Sequence, residues 1–422
     1  MKRILVLFPK DWDREELSGP NFRGRYEFLF EGFDLFRFPR NVQLLTFDVF
    51  RFIEGIVERY RARRIDGVFS NNEHFGALIA AVIARRLGLP GASPLAVIEC
   101  QHKFYARVRQ RAIVPDATPR FCVFPYSVRA PAEIGLPFPL FVKPVKATYS
   151  VLARQVTNFF ELRQHLRFRA VEKMVIKKLV QPFNDLMRAH TGYSVDAHHM
   201  VAEEVLHGKQ VNVDGFVHDG KVTILGVIDE VMYPGTQAFM RFEYPSRLPP
   251  EVLERMSTLT RALIAGMEFD FGFFNVELIY DPATGAIRII EINPRLASQL
   301  ANLYRRVDGY DPYELLISMS LGERPTFECA NGKFGAAASF VFRRFDGQAV
   351  KSTPSPDQIR LLGENYPDAC LMLYLKRGAT LAREMKWLGS YRYAVLNLGG
   401  QSPSDLRDRF HRICRQLALD AE

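Results

Sequence analysis

The sequence predicts a multidomain protein of mixed class: a Rossmann-like α/β domain at the N-terminus, followed by an α+β body dense in strands. Three observations carry this. Over residues 1 to about 96, apolar strand-like runs alternate with segments of helical spacing, the pattern of a parallel, doubly wound sheet. Beyond that point strands outnumber helices, and FFNVELIYDPATGAIRIIEINPR (Phe273 to Arg295) reads as a hairpin, two apolar runs around the turn cluster DPATG. A chain of 422 residues is also long enough for two to four such units.

The elements follow in order. RILVLF is a first strand, and DLFRFP reaches toward a second. Val49 to Arg64 has helical spacing, DGVFS is a short strand, and Glu73 to Leu87 is a helix stopped by Gly88 in LGLPG. The Pro and Gly residues of Leu89 to Pro94 mark a boundary. A helix carries Gln101 to Arg111, FCVF and LFVKPV are strands, and Asn158 to Arg169 is a helix. Strands recur at MVAEEVL, QVNVDGFVHDG and KVTILGVIDEV, and a helix spans Pro250 to Gly266. After the hairpin come a strand at Ala336 to Phe345 and a helix at Ser404 to Leu417. The expected divisions are 1–96, 97–202, 203–328 and an α+β extension at 329–422.

The hairpin carries two acids, Glu277 and Glu291, followed by Asn293 and Arg295. With Asp281 to Gly285 as the loop, Tyr280 pairs with Ala286 and Glu277 faces Ile289. Glu291 is then the diagonal neighbour of Glu277, about 7–8 Å away. Side chains alternate with period two, so Glu277, Glu291 and Asn293 share one face. Two carboxylates so close repel unless a proton or a cation sits between them. With an amide oxygen they form a hard, all-oxygen set that suits Mg²⁺, which takes one or two carboxylates and completes its shell with water and phosphates.

Composition narrows the class. Hydrophobic content of 48% and charged content of 24% are those of an ordinary globular chain. No apolar run reaches membrane-spanning length, and MKRILVLFPK reads as a strand, lacking the long apolar region and cleavage site of a signal peptide. The five cysteines are scattered with no CxxC, which fits reduced cytoplasmic thiols rather than a disulfide framework or a zinc site. The net charge of +9 is spread along the chain, without the basic stripe interleaved with aromatics that a nucleic-acid binder needs. Neither nucleic acid nor membrane is expected as a partner.

Other residues with chemistry stand out singly. Lys143 leaves an apolar strand in FVKPVKATYS, placed to meet a phosphate as a point charge or simply to be solvated. AEEVLHGKQVNVDG runs from strand through a tight turn at Gly208 into strand, either a plain hairpin or a turn whose backbone could pair with a purine edge. The adjacent His198 and His199 read as structural.

Taken in order, FVKP, AEEVLHGKQ, FNVEL and IIEINPR resemble the ATP-grasp superfamily. DGVFSNNEHFGALIAAVIARRLGLPG is similar to that superfamily's N-terminal domain, and QHKFYAR to its first ATP-binding lysine segment. The resemblance covers roughly residues 65 to 325, and the nearest subgroup is the ATP-dependent carboxylate–amine ligases, including L-amino-acid ligases. It implies a two-subdomain ATP-grasp fold behind the N-terminal domain. It implies that Lys103 and Lys143 contact ATP phosphates, and that Glu203, the Glu204 carbonyl and the Leu206 N–H hold adenine at a hinge. Gln210 stands where the family usually has a ribose-binding Glu. Glu277, Glu291 and Asn293 would bind Mg²⁺ or Mn²⁺, and Arg295 would steady the transferred phosphoryl group. Ser150 lies in the phosphate-covering loop, here KATYSVL without glycine, where Lys146 could stand in for the missing clamp. VMYPGTQAFMRFEYPSRLP falls where similar ligases line the acceptor site, so Arg241 could pair with a substrate carboxylate and Glu243 with an amine.

The implied activity is activation of a small-molecule carboxylate as an acyl phosphate and its capture by an amine, with release of ADP and phosphate. A biotin-carboxylase-like activity and a non-catalytic ATP-binding role are the alternatives. A cytoplasmic location and a homodimer complete the expectations.

Overall fold

The computed structural model describes residues 1–34, 40–148, 151–328, 332–347, 353–374 and 389–419. Fifteen strands lie among them: β1 (Lys2–Leu7), β2 (Tyr26–Glu31), β3 (Gly67–Phe69), β4 (Phe121–Pro125), β5 (Leu140–Pro144), β6 (Arg154–Val156), β7 (His199–Glu204), β8 (Lys209–His218), β9 (Lys221–Met232), β10 (Phe239–Tyr244), β11 (Gly272–Tyr280), β12 (Ile287–Asn293), β13 (Ala336–Arg344), β14 (Cys370–Leu373) and β15 (Tyr391–Gly400). They form three sheets.

The first sheet is parallel, in the order β2-β1-β3. Its central strand buries Ile4 to Leu7 completely, as a strand covered on both faces must. Helices Val49–Arg63 and Gly76–Leu87 pack together beside it. Asp48 caps the first, accepting from the Arg51 N–H at 3.0 Å, and Gly88 ends the second in the left-handed region. The second strand is YEFLFE, upstream of the expected DLFRFP, most of which lies outside the described residues. The expected helix through Gln101 is two helices, Pro94–Gln101 and Lys103–Ile113. They are broken at His102, whose Nδ1 accepts from the Tyr105 N–H.

The second sheet is antiparallel, in the order β4-β7-β5-β6. Phe124, Leu140, Val142, Met200 and Ala202 form its apolar face, on which Leu162 packs from helix Phe159–His165. Helix Ala170–His190, absent from the sequence reading, follows; it buries Ile176, Val180, Phe183, Leu186 and Met187 and tolerates Pro182 in its interior.

The third sheet has eight strands, in the order β12-β11-β8-β9-β10-β13-β15-β14. Val211, Val213, Val276 and Leu278 point to one face, against Met256, Leu263 and Ile264 of helix Pro250–Gly266. Their neighbours Asn212, Asp214, Asn275 and Glu277 therefore point to the other face. The C-terminal strands do not stand apart as a separate sheet: β13 pairs with β10, and β15 and β14 extend the same sheet. Helix Pro403–Leu417 covers that end, with Phe410 stacked on Phe340 at 3.9 Å between ring centroids.

One buried acid fastens the N-terminal sheet to the rest. Asp13 is fully buried and accepts from Asn71 Nδ2 at 2.8 Å, Ser298 Oγ at 3.0 Å and the Tyr313 hydroxyl at 2.7 Å. Its partners come from the loop after β3, the loop after β12 and helix Pro312–Ser320, so these segments are held around one cleft.

Candidate active site

The hairpin β11–β12 forms the floor of the cleft, in a register that differs from the expected one. Asp281 N–H donates to the Ala286 carbonyl at 2.9 Å, closing the loop one residue later than the symmetric pairing assumed, and Tyr280 pairs with Ile287. The register then shifts between Glu277 and Leu278, where Ile290 is the extra residue of a β-bulge. Each correction moves Glu291 toward Glu277. The two acids are direct cross-strand partners rather than diagonal ones, and Asn275 is paired with Asn293 beside them.

The bulge also exposes a carbonyl. Ile290 O accepts from Arg107 Nη2 at 2.8 Å and from Lys143 Nζ at 3.1 Å. Glu203 faces the same two cations, pairing with Arg107 Nε at 2.8 Å and Lys143 Nζ at 3.0 Å. All three charged groups are buried. Burial alone would raise the pKa of Glu203, but Arg107 and Lys143 outweigh it and hold the acid below its ordinary value. Burial lowers that of Lys143, against the pull of Glu203. The side chain of Glu203 is therefore committed to holding Lys143 rather than turned toward an adenine, a correction to the expected role. Arg107 carried no signal in the sequence beyond its place on a helix.

Around the paired acids the charges alternate. Lys103 Nζ lies 3.0 Å from Glu291. Glu277 accepts from Asn293 Nδ2 at 3.1 Å and from Gln210 Nε2 at 3.4 Å. Burial first, and then the charge of Glu291, push the Glu277 carboxyl up to about 7. A buried carboxyl pushed up by an acid directly beside it is short of positive charge, which is what a divalent cation supplies. The bonds of Asn293 commit its nitrogen, so its oxygen is the atom that could serve a cation. The donor set thus fits Mg²⁺. It contains only two carboxylates, and among the described residues no group of three or more His, Cys, Asp or Glu is arranged to hold a metal by itself.

Arg295 reaches across to the N-terminal domain, its Nε 2.7 Å from Glu73 Oε2. Burial would raise the pKa of Glu73, but the charges of Arg295, Lys10 and Lys146 bring it down to about 2. Lys146 Nζ donates to the Glu73 carbonyl at 2.6 Å, so residue 73 touches both sides of the cleft. The sequence contained a clue to Glu73 in SNNE, a polar run between an apolar strand and an apolar helix. Gly76 lets that run fold tightly: a Cβ there would lie 2.5 Å from Ser70 Oγ. Ser150 lies outside the described residues.

The segment Val205–Gly208 joins β7 of the second sheet to β8 of the third, so it is a connection between sheets and not the hairpin of the bare sequence reading. Gly208 has φ 136°, and a Cβ on it would lie 2.1 Å from the Tyr280 carbonyl oxygen. Glu204 pairs its carboxylate with Arg120 at 3.0 Å, and Leu206 lies in the connection itself. Gln210 is directly opposite Glu230, whose pKa burial and Glu277 raise well above the ordinary value. Asn212 Nδ2 donates to Glu230, Asn275 to Asp214 at 2.6 Å, and the Tyr304 hydroxyl to Asp214 at 2.7 Å. This polar layer of the cleft floor was not singled out from sequence.

Arg241 and Glu243 do not join the cluster. Phe242 is paired with Glu230 and Ser339, so it shares the cleft face, and its neighbours Arg241 and Glu243 point to the opposite one. There they pair with each other at 2.7 Å, with Arg247 3.4 Å from Glu243. The expectation that they contact substrate is corrected by the strand register: the stretch expected to line the acceptor site contains the central strand β10. His199 pairs with Asp196 at 2.8 Å and His198 lies against Tyr126, both in the second-sheet region.

Residues 136–302 match the family model of the ATP-grasp domain. Over 181 residues the chain is 23% identical to the carbamoyl phosphate synthase large chain of Paenarthrobacter aurescens (strain TC1), a match that spans 39% of this chain and only 16% of that relative. L-amino acid ligase from Bacillus licheniformis has a similar structure, with TM-score 0.69 and 16% identity over 99% of this chain and 98% of that one. So does N5-carboxyaminoimidazole synthase from Aspergillus clavatus, solved with ADP, with TM-score 0.66 and 14% identity over 99% and 98%. The family match thus covers the middle of the chain, and the likeness of fold to these two enzymes extends over its whole length.

Proposed function

We propose that this chain is an ATP- and Mg²⁺-dependent ligase that activates a small-molecule carboxylate as an acyl phosphate and joins it to an amine, releasing ADP and phosphate. The observation that carries the reading is the direct pairing of Glu277 with Glu291, beside Asn293, Lys103 and Arg295, in one cleft. Glu277, Glu291 and Asn293 would hold Mg²⁺ (or Mn²⁺), which when bound neutralises charge on the transferring phosphoryl group. Lys103 and Lys143 contact the phosphates, with Glu203 and Arg107 positioning Lys143. The Glu204 carbonyl and Leu206 N–H take adenine, and Gln210 takes the ribose. Arg295 steadies the phosphoryl group and the acyl phosphate, which requires it to exchange Glu73 for substrate.

The reaction needs no enzyme nucleophile. A carboxylate oxygen attacks the γ-phosphorus and ADP leaves; the amine then attacks the acyl carbon and phosphate leaves. Positioning and charge neutralisation carry the rate. Among the described residues no helix is long and apolar enough to cross a membrane. The cytoplasmic location expected from the cysteines belongs to this proposal.

The test is release of ADP and phosphate across a panel of carboxylic acids and amines, with hydroxylamine added to trap the acyl phosphate as a hydroxamate. The reading expects turnover that needs both acid and amine, and a hydroxamate when hydroxylamine replaces the amine. Release of AMP and pyrophosphate, or turnover only with bicarbonate and biotin, overturns it.

A further inference from the structure

Three lysines line the cleft, and one differs from the other two. Lys103 and Lys143 each face a carboxylate at 3.0 Å. Lys146 is 5% exposed, and its nearest partners are neutral: the Glu73 carbonyl at 2.6 Å and the face of Phe183, 5.1 Å from the ring centroid. No carboxylate lies within salt-bridge distance of it among the described residues. A lysine desolvated without a counter-ion is the one that can shed its proton, and a neutral amine can still donate to that carbonyl.

Such a group meets a need of the proposed chemistry. An amine arrives as an ammonium and must lose a proton before its lone pair can attack. Glu73, Glu277, Glu291, His102 and His74 are poorly suited to take it. Glu73 is held near 2 and is a poor base. Glu277 and Glu291 are assigned to the metal. His102 has both nitrogens bonded to backbone, and burial pushes its pKa down to about 3. His74 is bonded to the Leu179 carbonyl, with its pKa pushed down to about 4 by burial and then by Lys146. The surroundings of Lys146 place its own pKa at about 7: burial and Lys103 lower it, Glu73 and Glu291 raise it, and Arg295 lowers it.

Building on the ligase reading, we propose that Lys146 is the general base that deprotonates the amine nucleophile. The uncharged Nζ takes one proton from the ammonium. The nitrogen lone pair forms the C–N bond at the acyl carbon, the C–O bond to phosphorus breaks, and its electron pair leaves with phosphate. The second proton lost by the nitrogen goes to that phosphate. Lys146 is thus a catalytic residue, in a loop that lacks the usual glycines.

The experiment compares two nucleophiles in wild type, Lys146→Met and Lys146→Arg. One is the amine substrate found by the release assay, an ammonium at neutral pH; the other is hydroxylamine, largely unprotonated there. Both variants should lose about 10²-fold or more in kcat/KM with the ammonium, the range of a general base, and far less with hydroxylamine. Their residual rate with the ammonium should keep rising with pH, tracking the nucleophile's own deprotonation. Equal losses with both nucleophiles, or rescue by Lys146→Arg, would assign Lys146 to phosphate binding and overturn the proposal. ATP affinity by calorimetry guards against misfolding, since a folded Lys146→Met should still bind. If wild type shows no acid-dependent ADP release with any amine, the ligase reading itself falls, and this proposal with it.

Discussion

Glu203→Gln removes one charge from a fully desolvated cluster. Glu203 is 3% exposed, Lys143 4% and Arg107 2%, and the acid is the one carboxylate within salt-bridge distance of both cations among the described residues. Taking one partner from a buried ion pair costs about 3–5 kcal/mol. Both cations keep the Ile290 carbonyl, and a glutamine oxygen still accepts one hydrogen bond, so the lower end, about 3 kcal/mol, is expected. That is roughly a hundredfold in the folding equilibrium. A second effect follows from Lys143. Burial already lowers its pKa and Glu203 is the main opposing influence, so the variant's lysine should lose its proton at lower pH. A neutral amine no longer attracts phosphate by charge, so ATP affinity should fall, and fall further as pH rises from about 6 to about 9. Urea unfolding followed by circular dichroism reads the first effect, and calorimetric ATP titrations at the two pH values read the second. A variant within about 0.5 kcal/mol of wild type, with unchanged ATP affinity at both pH values, would refute the argument.

Other consequences can be checked separately. Gly208→Ala should weaken ATP binding strongly, because its φ of 136° and the Tyr280 carbonyl 2.1 Å from the added Cβ force the connection between the sheets to move; equal affinity in calorimetry would show that the connection is not part of the nucleotide site. Glu73 has a folded pKa of about 2, below the ordinary carboxylate value of about 4.3. Its contribution to stability is full above the unfolded value and is lost as pH falls toward the folded one. Glu73→Gln should therefore flatten the acid limb of a stability–pH curve in that window, and an unchanged limb would mean the pair with Arg295 is not formed in solution. Arg241→Ala should leave kcat and every KM within about twofold of wild type, because its side chain is on the far face of the sheet; a rise in one substrate's KM alone would restore it to the binding site.

Much of this site could be read from sequence because it is local. The hairpin has its turn residues at its tip and alternating acids on its arms, so the shared face of Glu277, Glu291 and Asn293 follows from period two. What pattern could not give was the loop closing one residue later and the bulge at Ile290: neither changes composition, yet together they turned a diagonal pair into a direct one. Helix Pro250–Gly266 and the Gly88 stop were legible for similar reasons, being amphipathic spacing and a left-handed cap. Helix Ala170–His190 was obscured by an internal proline and by an arginine, Arg169, at its N-cap, where Ser, Thr, Asp or Asn is the usual signal. Strand β10 lies in the middle of a sheet whose order is not sequential, and one of its partners, β13, is about a hundred positions away. Glu73, Arg107 and Asp13 were missed for the same reason. A buried charge looks like a surface charge in sequence until its partner, here Arg295, Glu203 or Tyr313, is brought to it by the fold.

In the proposed function, Glu277 and Glu291 hold the divalent ion that lets this cleft transfer the γ-phosphoryl group of ATP to a carboxylate. It is tested most directly with an acid whose carboxylate is labelled with ¹⁸O, by following the label in the phosphate released by wild type and by Glu291→Gln. Acyl phosphate formation predicts one labelled oxygen in the phosphate from wild type. It predicts turnover abolished in Glu291→Gln at saturating Mg²⁺, with an unchanged circular dichroism spectrum. Unlabelled phosphate from wild type, or wild-type turnover in the variant, would contradict it.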